Sequence, residues 1–170
     1  TEDVLSDLEA ALGAATAAEQ VRAAVLTGSG RAFSVGLDLD LLDRAFREPD
    51  YLDGVITRLG ALLRTIERLP VPVVAAVNGL ARAGGFELML ACDLVVISEE
   101  ARIGDVHTPF GVIPAGGATV RLPRVVGVQR AREILLTGRW LTAQEAVELG
   151  LALHAVPAAE LTAAAAELAA

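Results

Sequence analysis

The sequence predicts an α/β fold in which parallel or mixed strands alternate with helices. Two observations predict it. Short apolar, β-branched runs alternate along the chain with longer stretches whose apolar residues recur at helical spacing. One run, VPVVAAVNG at residues 71–79, is apolar without alternation, the pattern of a strand covered on both faces. No charge block or low-complexity linker divides the chain apart from its alanine-rich end, and 170 residues with 54% apolar side chains suffice for one core, so a single domain over residues 1–170 is expected.

The elements follow in order. Val4, Leu5, Leu8 and Leu12 place an amphipathic helix over residues 2–16, and AAVLTG (residues 23–28) reads as a buried strand. The glycine-punctuated stretch SGRAFSVGLDLDLL (residues 29–42) holds a second short strand. Residues 51–68 carry Leu52, Val55, Ile56, Leu59, Leu62, Leu63 and Ile66 at helical spacing, and Pro70 and Pro72 end that helix. After the strand at 71–79, ARAGGFELMLACD (residues 81–93) reads as a buried helix and LVVIS (residues 94–98) as a strand. Helices are expected from about residue 128 to 136 and from 143 to 150, the latter capped by Thr142 with Glu145 three residues on. The chain begins inside one apolar stripe and stops inside another, AELTAAAAELAA, without an initiator Met, so parts of the fold are expected to lie beyond both ends.

Several classes of function are disfavoured. A net charge of −8, no Lys/Arg-dense run and few aromatic residues lack the electrostatic footprint of a nucleic-acid binder. The apolar run at residues 69–81 is too short to span a membrane. A single cysteine leaves no internal disulfide framework, and the acidic start lacks the pattern of a secretion signal; a cytoplasmic location is expected. Without a Cys/His cluster, a Walker loop or a dinucleotide fingerprint, neither a metal nor a cofactor is implied. An anionic small ligand stays open, because Arg31 and Arg82 lie beside glycine-rich turns.

The helix at 81–93 contains one carboxylate, Glu87. Its neighbours at three and four residues are Ala83, Gly84, Leu90 and Ala91, so no local ion pair is available. A carboxylate among such residues is desolvated and its pKa rises, which suits a general acid/base; a hydrogen-bonded or snorkelling structural glutamate is the alternative. Ala83, Gly84 and Gly85 stand at the helix start, where unpaired amides and the helix dipole favour negative charge. Bare amides followed by a buried base would make an oxyanion site, although glycines also permit tight strand-to-helix turns.

Four stretches in order, GRAFSVGLDL, PVVAAVNGLARAGGFELMLACDLVV, IGDVHTPFGVIPAGGATVRLPRVVG and AREILLTGRWLTAQEAVELGL, closely resemble the enoyl-CoA hydratase/isomerase (crotonase) family from about Val21 to Val156. The resemblance implies a crotonase (ClpP-like) fold, a superhelix of repeated ββα units, assembled as a homotrimer or dimer of trimers. It also implies an acyl-CoA thioester substrate, with coenzyme A as part of the substrate and no separate cofactor. Carried over by motif, the oxyanion-hole N–H groups fall on Leu37 and Gly84, and the CoA contacts on Leu37, Asp38, Leu39, Asp40 and Gly84. Asp38 is also suited to cap a helix start. Glu87 matches the first of the two catalytic glutamates of the hydratases. At the second position this chain carries His107, whose imidazole can donate and accept protons near neutral pH.

The reaction implied is addition of water to a 2-enoyl-CoA through an oxyanion-stabilised enolate, with Glu87 and His107 as the acid-base pair. Isomerisation and decarboxylation are the nearest enolate alternatives, and a non-catalytic acyl-CoA-binding subunit is the alternative of another class. His107 is otherwise a hydrogen-bonded loop residue, Asp105 a turn residue or a fallback acid, and Cys92, with no adjacent base, a poor nucleophile.

Overall fold

The computed structural model describes residues 2–38, 41, 43–44 and 47–170. Helix α1 (Glu2–Ala17) is followed by strands β1 (Ala24–Thr27) and β2 (Ala32–Ser34), then by α2 (Pro49–Glu67). Strands β3 (Val73–Val77) and β4 (Leu80–Arg82) lead into the short helix α3 (Gly84–Leu90), and β5 (Leu94–Ser98) and β6 (Arg102–Gly104) follow. A single 3₁₀ turn at Thr108–Phe110 precedes α4 (Ala118–Val126), α5 (Val128–Thr137), β7 (Leu141–Thr142), α6 (Ala143–Glu148), β8 (His154–Val156) and α7 (Leu161–Leu168).

The strands sort into two sheets. One has the order β1-β3-β5-β8 with every pair parallel, and the other the order β2-β4-β6-β7 with only the last pair antiparallel. From β1 to β6, successive strands therefore alternate between sheets. Each pair, β1–β2 then β3–β4, gives one strand to each sheet before the chain turns into a helix, so the repeated unit is ββα.

β3 is buried along its whole length, as its unbroken apolar run predicts. Ala75 and Val77 pack with Phe86, Met89, Val95 and Ile97 in the main core, while Val74, Ala76 and Val96 pack against Leu161 and Ala165 of α7. Val73 joins Leu12, Leu62, Leu63 and Ile66, where α1 and α2 meet. Full burial of side chains such as Phe86 and Met89 contributes about 1.5–3 kcal/mol each.

Two elements differ from the sequence reading. The stretch at 81–93 is not helical throughout: residues 80–82 form β4 beside β2 and β6, and α3 starts only at Gly84. A strand of three residues is too short to show a period, and its backbone is held by neighbours distant in sequence. β1 is not buried either; it alternates between half-buried and exposed residues, and among the described residues it stands at a sheet edge paired with β3. Thr142 caps α6 as expected, its hydroxyl accepting from Glu145 N–H at 3.1 Å and its own N–H donating to Glu145 Oε2 at 2.8 Å.

Candidate active site

The site forms where α3 starts. Gly85 lies directly against β2, since a β-carbon there would fall 2.0 Å from Ser34 O; only glycine allows the helix to start so close to that strand. The same packing brings Gly36 to Gly84, whose own β-carbon would stand 3.5 Å from Gly36 Cα. Leu37, next after Gly36, thus leaves the β2 end beside the first amide of α3. Gly84 N–H has no carbonyl four residues back within the helix, and among the described residues neither it nor Leu37 N–H donates to another backbone carbonyl. Arg82 Nε ties the two segments by donating to Val35 O at 3.2 Å.

Glu87, one turn into α3, is 1% exposed. Its Oε1 accepts the Ala118 N–H at the start of α4, 3.0 Å away. The carboxylate has no spare room on the α4 side, where a β-carbon on Gly116 would come within 2.5 Å of Oε2. Burial pushes the Glu87 pKa upward, opposed by the Ala118 N–H and by the charge of His107, while Asp105 adds to the rise.

His107 comes within electrostatic reach of Glu87 from the loop after β6, with 14% of its side chain exposed. Its Nδ1 lies 2.9 Å from Oδ1 of Asp105, a wholly buried carboxylate. Burial pulls the imidazole pKa down, but the hydrogen bond and charge of Asp105 and the charge of Glu87 outweigh it, so the pKa is raised. Glu87 and His107 therefore act on each other's charge, and both feel the carboxylate of Asp105.

The comparisons with known proteins bear on this arrangement. The family model described as enoyl-CoA hydratase/isomerase matches residues 1–170. The chain belongs to the enoyl-CoA hydratase/isomerase family. It is 37% identical over 164 residues to the probable peroxisomal enoyl-CoA hydratase 1 of Arabidopsis thaliana, covering 94% of this chain and 58% of that protein. It is 42% identical over 115 residues to the mitochondrial methylglutaconyl-CoA hydratase of Rattus norvegicus, covering 68% of this chain and 36% of the relative. The crystal structure of an enoyl-CoA hydratase from Bacillus anthracis superposes with a TM-score of 0.94 at 39% identity, covering 99% of this chain and 65% of that one. The two-sheet superhelix is the crotonase fold that the motifs imply. The chain spans less than two thirds of the length of each of these relatives.

The structure brings Leu37 and Gly84 together through their neighbouring backbones, and it brings Glu87 and His107 together through their charges. Asp38 lies exposed beyond Leu37; the CoA contacts expected of Leu39 and Asp40 fall outside the described residues. No described helix is long and apolar enough to cross a membrane. Cys92 stands apart from this chemistry: burial pushes its thiol up to about 12, and Sγ donates to Leu88 O at 3.4 Å. Asp93 fixes the end of α3 to the sheet, its Oδ2 accepting Val73 N–H at 2.8 Å.

Sequence reasoning missed one support of the site. Arg121 on α4 donates from Nη1 to Gly116 O at 2.6 Å and is held by Glu67 of α2 through Nε at 2.8 Å and Nη2 at 2.9 Å. It clamps the loop whose Ala118 N–H holds Glu87. An arginine one turn after the Gly116-Gly117 pair is the sequence signal, but its acceptor 54 residues away is not visible locally. The second missed feature is backbone strain. Among the described residues, the non-glycine residues with positive φ are Ala83 at 49° and Val106 at 45°, which immediately precede Gly84 and His107.

Proposed function

We propose that this protein is an acyl-CoA hydro-lyase that adds water to the α,β double bond of a 2-enoyl-CoA. The supporting observation is the placement of Glu87: a carboxylate buried to 1% exposure, held by the Ala118 N–H and within electrostatic reach of an imidazole, one turn inside a helix whose first amide donates to no backbone carbonyl among the described residues. In this reading Leu37 and Gly84 N–H groups polarise the thioester carbonyl. Glu87 takes a proton from water as its oxygen bonds to the β-carbon, the π electrons move toward the carbonyl oxygen, and His107 delivers a proton to the α-carbon of the resulting enolate. Return of the proton from Glu87 to His107 resets the site. Water has then been added with every atom accounted for.

Two donors aimed at the developing oxyanion contribute several kcal/mol of transition-state stabilisation in such a site. Assembly as a homotrimer or dimer of trimers and a cytoplasmic location belong to the same reading. Exposure of Phe110 at 69%, Ile113 at 79% and Leu136 at 73% supports the assembly.

Isomerisation is the second reading, favoured by the same Glu87 because moving a double bond needs an enolate and a single proton shuttle. The test is a steady-state assay of the full chain with crotonyl-CoA, following loss of the conjugated-thioester absorbance, beside Glu87→Gln and His107→Ala. Hydration that falls by about 10²–10⁴-fold in both variants is expected. An unmodified protein that binds crotonyl-CoA without hydrating it would overturn the hydratase assignment; shift of a 3-enoyl-CoA double bond would then establish the isomerase, and turnover of neither the binding subunit.

A further inference from the structure

Asp105 has no assigned part in the reaction above, yet its placement is costly. It is a carboxylate with no exposure, and its Oδ2 is the one buried side-chain polar atom without a hydrogen-bond partner among the described residues. Leaving such an atom unpaired is unfavourable, because it gives up water without gaining a partner. The residue after it, Val106, is β-branched and sits at φ 45°, a left-handed conformation that such a side chain disfavours. That turn brings Asp105 Oδ1 against two groups of His107: it accepts the backbone N–H at 3.4 Å and lies 2.9 Å from the ring Nδ1. Two unfavourable features thus converge on one contact.

We infer that Asp105 is a positioning residue: its Oδ1 keeps a proton on His107 Nδ1 and leaves Nε2 as the nitrogen that exchanges protons with the substrate. An ionised carboxylate only accepts hydrogen bonds, so the ring nitrogen facing it must carry hydrogen. The other nitrogen is then the one whose charge changes, as in other sites where a hydrogen bond to one ring nitrogen determines the role of the second. Asp105 also supplies the negative charge that keeps the imidazolium available at a position where the family's hydratases have a glutamate. Among the described residues, Asp105, from its own loop, and Glu87, from α3, are the groups that act on the charge of His107. Helix α5, which packs on the following turn through Leu135 O and Thr108 Oγ1, carries Arg130, Arg132 and Glu133; Glu133 is engaged with Arg130 and Arg139.

The role in turnover rests on the proposed hydration, whereas the tautomer does not, so the test reads both. Imidazole ¹⁵N signals would be recorded across pH in the full chain, with His107 assigned by loss of its signal in His107→Gln. The expected result is an Nδ1–H tautomer in the unmodified protein, and in Asp105→Asn a mixture of tautomers with a lower His107 pKa. Hydration should show kcat lower by about 10–100-fold in Asp105→Asn, KM changed by less than about twofold, and a basic limb moved to lower pH. An Nε2–H tautomer in the unmodified protein overturns the inference, and needs no folded variant. So does an Asp105→Asn protein whose His107 titrates as before. The expected tautomer in a protein without hydratase activity would keep the pair and remove the hydration reading alone.

Discussion

Replacing Gly116 by alanine tests whether the position of Glu87, beyond its presence, governs the reaction. The added β-carbon would lie 2.5 Å from Oε2, 2.8 Å from Cδ and 3.2 Å from Oε1, against an ordinary contact of at least 3.4 Å. Oε2 must therefore move by about 0.9 Å, the difference between 3.4 and 2.5 Å. The obstructing atom is the end of a side chain and not backbone, so the fold can give way by displacing the carboxylate at modest cost in stability. The active geometry cannot give way in the same manner. A displacement near 1 Å costs about 10²-fold in rate, or about 2.7 kcal/mol in the barrier. Steady-state hydration of crotonyl-CoA should show kcat lowered to that extent, KM nearly unchanged and thermal unfolding within a few degrees. Gly13→Ala on α1, where an added β-carbon meets nothing within 4 Å, is the control and should keep full activity. A Gly116→Ala protein with kcat within about twofold of the parent would refute the reasoning that the Gly116–Ala118 loop places the base.

Further outcomes follow from the same geometry. Gly85→Ala should be severely destabilised, by at least about 1–3 kcal/mol in a denaturant titration, because its β-carbon meets the backbone oxygen of Ser34 at 2.0 Å; stability equal to the parent would contradict the contact between α3 and β2. The pH profile of kcat/KM should be a bell with its acid limb above the ordinary carboxylate range and its basic limb above the ordinary imidazole range, since burial raises Glu87 and the two carboxylates raise His107; a basic limb below the ordinary imidazole value would count against the cluster. Because the folded pKa of Glu87 is raised, that carboxyl's contribution to stability is complete below its unfolded pKa and is lost as pH rises through the folded value. Glu87→Gln should therefore melt higher than the parent near neutral pH while losing activity, and the gain should vanish in acid; calorimetry showing a lower melting temperature at neutral pH would reject this.

Much of the architecture was legible in the chain because it depends on local pattern. The unbroken apolar run of β3, the stripe of α2 ended by Pro70 and Pro72, and the Thr142–Glu145 capping box each carry their structural meaning within a few residues. The same holds for Glu87, whose neighbours one turn away offer no partner, so its burial and raised pKa were implied before any contact was known. The order of motifs identified the family, which the comparisons bear out.

What the sequence by itself determined was the alternation of elements, the glycines that permit close approach, and the candidate residues Leu37, Gly84, Glu87 and His107. Tertiary structure alone decided which groups meet. It made β4 a strand inside a stretch that reads as helix, since the decisive hydrogen bonds come from β2 and β6. It placed Ala118 N–H on Glu87 from 31 residues away and bound Arg121 to Glu67 across 54. It also set Ala83 and Val106 in conformations that neither residue favours. The physical reason is that periodicity and capping are energies of neighbouring residues, whereas desolvation, hydrogen-bond partnership and tolerated strain are fixed by the packing of segments that meet only in the folded chain.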